Sequence, residues 1–445
     1  QLRTPRYTGA QNLRDLIEAN EQWDVSGDES YTPEQYTIIA ERLYGVVFGV
    51  AAQIVEEGVC SMEDVDRGAK VGLRWARGPF EMMNRVGIQE AHRMAQDYAK
   101  LCSKSDEHQA WKVPEFFTQQ SDSNDLWNFS YVDVSKESGV ATLTINRPEA
   151  MNALNETVVG QLNDALDEVN ADESVHTVVL DGAGKAFVAG ADVKFFVDKI
   201  RADAIPDIVT FTADGHTMLN KLENSNKTTV ALTTGLALGG GLELALACDY
   251  RIGTRRTQFR FPETSIGIYP GLGGTQRPAR ISGIPSARWA VLAGNFMDAQ
   301  TAHDLGLLTH LVNVAGVDSC VSELASLGKP ENKYPGAPNN PASPVASFAS
   351  SFFSDKNLSS LLSGTCPEGF DAEDKVVARQ LKSLSRTAPI ALKMASDLID
   401  ATSQSSLKDG LQMELDNLTN IFTTSDSLEG LSALIEGRKP TYSNS

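Results

Sequence analysis
Histidine and cysteine are scarce in this 445-residue chain, and their spacing excludes several kinds of chemistry. The six histidines form no HExxH or similar pattern, so no metal centre is expected, and His92 and His310 read as structural. Cys60, Cys102, Cys248, Cys320 and Cys366 are scattered, include no CxxC and are odd in number. That argues against a disulfide framework and for free thiols in a reducing compartment, with the cytoplasm expected. Basic charge is short as well: 39 Lys and Arg against 58 Asp and Glu leave a net charge of −19, the wrong sign for a nucleic-acid partner. No uncharged apolar run reaches about 18 residues, so no membrane partner is expected. The start, Gln1-Leu2-Arg3-Thr4-Pro5-Arg6, lacks the apolar core of a secretion signal, and without an initial Met the chain reads as a processed or truncated piece. Neither GxGxxG nor GxxxxGK[ST] occurs, so the usual phosphate-cradling glycine patterns are missing too.

What remains suits a globular protein of two or more domains, with 41% hydrophobic residues. Residues 1–120 read as an all-α domain. Tyr36 to Glu57 carries apolar residues at helical spacing, Gly58 can stop that helix, and Ser61-Met62-Glu63-Asp64 has the Ser-x-x-acid form of a helix start. Gly78-Pro79-Phe80-Glu81 places a proline where a helix begins. With Glu56-Glu57-Gly58-Val59, Asp64-Val65-Asp66-Arg67 and Val86-Gly87, this stretch resembles the C-terminal helical domain of 3-hydroxyacyl-CoA dehydrogenases over roughly 30–120. It departs from that family at Ala40-Glu41-Arg42, where the resemblance would put an Asn-Arg active-site pair. The domain therefore reads as a structural or dimerising remnant, with NAD relevant only if a missing Rossmann domain belongs to the full protein.

A polar stretch, 121–130, reads as a linker, and a second domain follows over 131–445. Val140 to Ile145 is a strand, Asn146-Arg147-Pro148 a turn, Glu156 to Val169 an amphipathic helix and His176 to Leu180 another strand, an alternation that indicates an α/β architecture. Phe187-Val188-Ala189-Gly190-Ala191-Asp192-Val193-Lys194 is a small-residue loop entering a helix at Asp192. Gly235-Leu236-Ala237-Leu238-Gly239-Gly240-Gly241-Leu242-Glu243-Leu244 follows a β-branched run and leads into a short helix beginning near Gly240. The free N–H groups at such a start can bind a developing anion. Glu243, in the first turn, has two readings: a carboxylate within reach of a substrate held there, or an acid that only complements the helix dipole. Glu263, 20 residues on, has the same two. Residues 328–369, rich in Pro, Ser, Gly and Asn, read as an inserted surface loop.

Asn146-Arg147-Pro148 with Asn152-Ala153-Leu154, Ala189-Gly190-Ala191-Asp192, Gly239-Gly240-Gly241-Leu242-Glu243, Pro262-Glu263 and Pro270-Gly271-Leu272-Gly273-Gly274-Thr275-Gln276-Arg277 occur in that order. Together they closely resemble the enoyl-CoA hydratase (crotonase) family over about 127–315 and again over about 376–442. The resemblance implies a crotonase-type ββα spiral with C-terminal helices that binds an acyl-CoA thioester and needs no further cofactor. It implies an oxyanion hole from the Ala191 and Gly240 N–H groups, Glu243 as base on a water, Glu263 as donor of the α-proton, and Gly271 N–H positioning that water. Ala189, Asp192, Lys194, Arg438 and Lys439 are the expected CoA contacts, although exposed basic groups of this kind are often merely solvated. Retention of both acids favours hydration over the family's isomerase activity, which commonly uses one acid near Glu263; a non-catalytic acyl-CoA-binding subunit of a β-oxidation complex is the other reading. Trimers or dimers of trimers are implied, with a dimer as the alternative that the helical domain could impose.

Overall fold
A computed structural model describes residues 32–103 and 111–445, and the parts of the helical domain read over 1–31 and 104–110 lie outside them. The chain divides into two compact units between Phe129 and Ser130.

Five helices form the described part of the first unit: α1 (Pro33–Glu56), α2 (Met62–Gly72), α3 (Pro79–Val86), α4 (Ile88–Cys102) and α5 (Glu115–Ser123). Their starts follow local chemistry. Thr32 and Gln35 make a reciprocal capping box at α1, and the Ser61 hydroxyl accepts from Asp64 N–H at 3.1 Å at α2. Asp66 accepts from Phe80 and Glu81 N–H at 2.8 and 2.9 Å, which ties α2 to the start of α3. By length and composition α1, alone among the described helices, would suit a bilayer, yet Gly45, Phe48, Gly49, Ala51 and Ala52 are buried, and Phe48 and Ala52 join a core with Met83, Ile88 and Trp127. The polar stretch read as a linker belongs partly to this unit: residues 121–123 finish α5, and Trp127 N–H donates to Asn84 Oδ1 at 2.8 Å while its ring is buried. An indole that large outweighs its polar neighbours.

The second unit winds in a repeated ββα pattern. Its elements begin with β1 (Val132–Glu137), β2 (Val140–Ile145), α6 (Glu156–Ala171), β3 (Thr177–Gly182), β4 (Ala186–Ala189), α7 (Val193–Arg201) and α8 (Ile205–Glu223). β5 (Thr228–Thr233), β6 (Leu236–Leu238), α9 (Gly240–Ala247), β7 (Tyr250–Gly253) and β8 (Gln258–Arg260) follow. Next are α10 (Arg277–Ser282), α11 (Ile284–Val291), β9 (Met297–Asp298), α12 (Ala299–Asp304), β10 (His310–Leu311) and α13 (Val317–Leu327). β1 and β2 both lie in a sheet ordered β1-β2-β3-β5-β7-β10, and the next three turns each send one strand to that sheet, β3, β5 or β7, and the following one to a sheet ordered β4-β6-β8-β9. The pairs β2/β3, β3/β5 and β5/β7 are parallel; β2 alternates half-buried and buried residues, whereas β3 and β5 are mostly buried along their length. β1, antiparallel at the edge, is mostly exposed and carries Asp133, Lys136 and Glu137.

The region 328–369 is not the surface loop expected from its composition. It holds α14 (Pro344–Phe352) and α15 (Asp355–Leu362), with Ala346, Ala349, Phe352, Phe353 and Leu361 buried. Its prolines and serines start helices: Pro344 opens α14, and the Ser343 hydroxyl accepts from Ala346 N–H at 3.2 Å. α16 (Lys375–Leu384), α17 (Pro389–Asp400), α18 (Leu407–Asp416), α19 (Leu418–Phe422) and α20 (Ser425–Glu436) complete the C-terminal helices.

Candidate active site
Two loops that follow strands of the smaller sheet meet at α9. After β4, Leu154 forms a single parallel bridge with Ala191, made by Leu154 N–H to Gly190 carbonyl and Asp192 N–H to Leu154 carbonyl. A parallel bridge uses the groups flanking its residue, so the N–H of Ala191 is directed away from Leu154. The Ala191 nitrogen lies 3.9 Å from where a Cβ on Gly240 would stand. Gly240, which opens α9 with an N–H free of intrahelical partners, and Ala191 are therefore close neighbours.

Glycine is required beside Gly240 for two separate reasons. Gly239 has φ +48° and ψ −123°, and a Cβ there would sit 2.2 Å from Glu263 Oε1. Gly241 packs so tightly on β4 that its Cβ would lie 2.0 Å from the Val188 carbonyl oxygen. The sequence motif around residue 152 has its explanation in packing. Asn152 is fully buried and donates to the carbonyls of Ala183, Ala186 and Phe187, while accepting from Arg147 N–H at 2.9 Å, which anchors the loop before β4.

The two carboxylates are buried in contrasting surroundings. Glu243 Oε1 accepts from Leu272 N–H at 2.7 Å and Gly274 N–H at 2.6 Å. Burial pushes its carboxyl up to about 7, while those two donors and the Arg277 charge oppose the rise. Glu263 opens a short 3-10 turn, Glu263–Ile266, and its buried Oε2 has no hydrogen-bond partner. Burial first, and then the Glu243 charge, push Glu263 well above the ordinary carboxylate range, with Arg260 opposing. The pair is thus polarised: Glu243 is favoured as the carboxylate and Glu263 as the neutral acid.

The remaining predicted residues are less concentrated. Ala189 ends β4 and donates its N–H to Met151 carbonyl at 3.0 Å; Asp192 caps α7 and pairs with Arg147 at 3.3 Å; Lys194 is exposed on the first turn of α7. Arg438 and Lys439 follow α20, and the Arg438 guanidinium is held by Glu429 at 2.6 and 2.8 Å and by Glu436 at 2.6 Å. Its charge is satisfied within the chain in this conformation. Gly271 lies at the start of the loop that holds Glu243, and its carbonyl accepts from His216 Nε2–H at 2.7 Å. Burial pushes His216 down to about 4, so this imidazole is neutral at physiological pH with Nε2 as the donor. Neither His216 nor the buried Glu414 stands out in the sequence, because each acts on this loop from a helix remote along the chain.

Residues 140–445 match the family described as enoyl-CoA hydratase/isomerase, and residues 38–125 match the C-terminal domain of 3-hydroxyacyl-CoA dehydrogenase. A probable enoyl-CoA hydratase of Mycobacterium bovis is 30% identical over 311 residues, 70% of this chain and 97% of its own length. A crotonyl-CoA hydratase of Syntrophomonas wolfei is 38% identical over 185 residues, covering 41% of this chain and 70% of its own. Among solved structures, an enoyl-CoA hydratase from Rhodobacter sphaeroides superposes with a TM-score of 0.61 at 26% identity, over 71% of this chain and 92% of that one.

Proposed function
The chain belongs to the enoyl-CoA hydratase/isomerase family, and from that premise we propose that it is an enoyl-CoA hydratase, adding water across the 2,3 double bond of a crotonyl-CoA-like thioester to give the 3-hydroxyacyl-CoA. The observation that carries this reading is the polarised pair, Glu243 with two N–H donors and Glu263 with a bare buried oxygen. Adding water requires a base for its proton and an acid for the α-carbon, and one carboxylate cannot serve as both at once. In this reading the Ala191 and Gly240 N–H groups take the thioester oxygen as it gains charge, Glu243 removes a proton from the water, and Glu263 delivers the α-proton. In the same reading Gly271 N–H would orient the water, and Ala189, Asp192 and Lys194 would contact the CoA moiety. Loss of absorbance of the conjugated thioester on mixing crotonyl-CoA with the chain tests the activity; no turnover would leave an acyl-CoA-binding role.

The contrast between the acids sets a pH profile. The base must be ionised, and its pKa is raised to about 7, so kcat/KM rises as pH rises through about 7. The acid must be protonated, and its pKa is raised further, so the rate falls again as pH climbs through that higher value. The two limbs report the coupled pair rather than either residue alone. An acid limb near 4.3, the ordinary Glu value, would contradict this assignment.

Oxidation of the product is not expected from the sequence given. It contains no dinucleotide-binding glycine fingerprint, and Glu41, where the dehydrogenase resemblance would place Asn, is 3.1 Å from Arg93 in an ion pair. NAD with 3-hydroxybutanoyl-CoA should therefore give no NADH, and measurable reduction would show a second site. The helical domain fits a bifunctional hydratase and dehydrogenase whose nucleotide-binding part is elsewhere. For assembly, the proposal is trimers or dimers of trimers through the C-terminal helices, with a dimer as the alternative; sedimentation showing only monomer at micromolar concentration would count against it.

A further inference from the structure
A third buried carboxylate grips the same loop as Glu243. Glu414, on α18, is fully buried. Its Oε2 accepts from Gly273 N–H at 2.6 Å, and its Oε1 from Thr275 N–H at 3.0 Å and from the Thr275 hydroxyl. The hydroxyl direction is fixed, because the Thr275 oxygen also accepts from Gln276 Nε2–H at 2.9 Å and so turns its own proton to Glu414. The four successive N–H groups from Leu272 to Thr275 thus alternate between two acids: Leu272 and Gly274 to Glu243, Gly273 and Thr275 to Glu414.

This alternation has a mechanical consequence. Each residue of a short loop keeps two soft dihedrals, so the peptide planes of this glycine-containing strip hold their orientation only where hydrogen bonds to both acids fix them. Releasing Gly273 and Thr275 from Glu414 lets the strip turn and withdraws the Leu272 and Gly274 donors from Glu243. We infer that Glu414 is a positioning residue for hydration, holding the Leu272–Thr275 strip so that the Glu243 carboxylate stays aimed at the water; the inference rests on the hydratase reading above. Burial and the Glu243 charge push the Glu414 carboxyl up to about 8, and its three donors oppose that rise. Both oxygens of a carboxyl group, ionised or protonated, can accept, whereas the nitrogen of a glutamine amide cannot. Tyr269, whose hydroxyl donates to the Glu414 backbone carbonyl at 2.5 Å, adds a second tie between α18 and this loop. Neither Ala191 nor Gly240 is among the groups Glu414 touches, so binding of the thioester carbonyl does not depend on it.

The test is Glu414→Gln in the full chain. Glutamine can accept one N–H with its oxygen but turns an NH2 towards the other. Expected is a fall in kcat of about 10- to 100-fold, the cost of misplacing a reacting group by a fraction of an ångström to an ångström. KM for crotonyl-CoA and the dissociation constant of the unreactive butanoyl-CoA should stay within about twofold. Amide exchange followed by mass spectrometry should quicken in peptides spanning 271–276 and stay unchanged around 189–192. Thr275→Val removes the hydroxyl that donates to Glu414 and accepts from Gln276, whose amide keeps the Leu398 carbonyl as a partner; it should lower kcat by about threefold with unchanged KM, and it decides the matter if Glu414→Gln does not fold. Wild-type kcat in folded Glu414→Gln, or lost activity that only tracks the folded fraction with exchange at 271–276 unchanged, would overturn the inference. If the unmutated chain does not hydrate crotonyl-CoA, the functional reading fails and the positioning role fails with it. The exchange result then still decides whether Glu414 holds the strip.

Discussion
Glu243→Gln should lower kcat for crotonyl-CoA hydration by about 100- to 10,000-fold while leaving affinity for butanoyl-CoA within about twofold. The local structure tolerates the change. The amide oxygen can take the place of Oε1 and keep the Leu272 and Gly274 N–H groups at their present 2.7 and 2.6 Å. The NH2 then stands at the Oε2 position and offers donors where the proposed base needs an acceptor. The Ala191 and Gly240 N–H groups are untouched, so the loss falls on turnover. An isomerase working through Glu263 alone would behave differently, because Glu243→Gln would still shift a 3-enoyl double bond to the 2 position. Near wild-type hydration by this variant would return Glu243 to the simpler role of a helix N-terminal acid.

How far the sequence could be read depended on whether a residue's partners were close along the chain. Asp192 as the start of α7, Gly240 as the start of α9 and the strand Val140–Ile145 were legible because caps, glycine turns and alternation are local signals. The family resemblance then added the link between Ala191 and Gly240, which no periodicity could supply; the structure places them as close neighbours. The region 328–369 was misread because proline and serine mark loops on average but also open helices, and the buried Phe352 and Phe353 decide which applies. β6 was hidden inside the glycine stretch, since three residues, Leu236–Leu238, are too few to show alternation. Glu414 was invisible for the opposite reason. On an amphipathic helix a lone Glu looks solvated, and only the approach of α18 to the 272–275 strip buries it.

Glu263→Gln should also cost about 100- to 10,000-fold in kcat, and its residual activity should carry a distinctive pH profile. The amide is neutral, like the protonated acid it replaces, so Glu243 sees nearly the same charge as in the active form of the unmutated protein. The acid limb near 7 should therefore remain. The alkaline limb should disappear, because the group whose deprotonation produced it no longer titrates. Folding should be little affected: Oε2 of Glu263 makes no hydrogen bond, so no partner in the protein is orphaned by the exchange. The double variant Glu243→Gln/Glu263→Gln should fall no more than about tenfold below the worse single one, because base and acid act on the same addition and each is of little use without the other. Additive losses would mean that the two acids serve separate steps. An alkaline limb that persists in Glu263→Gln would assign it to another group, and Glu414, whose carboxyl is pushed up to about 8, would be the first to test.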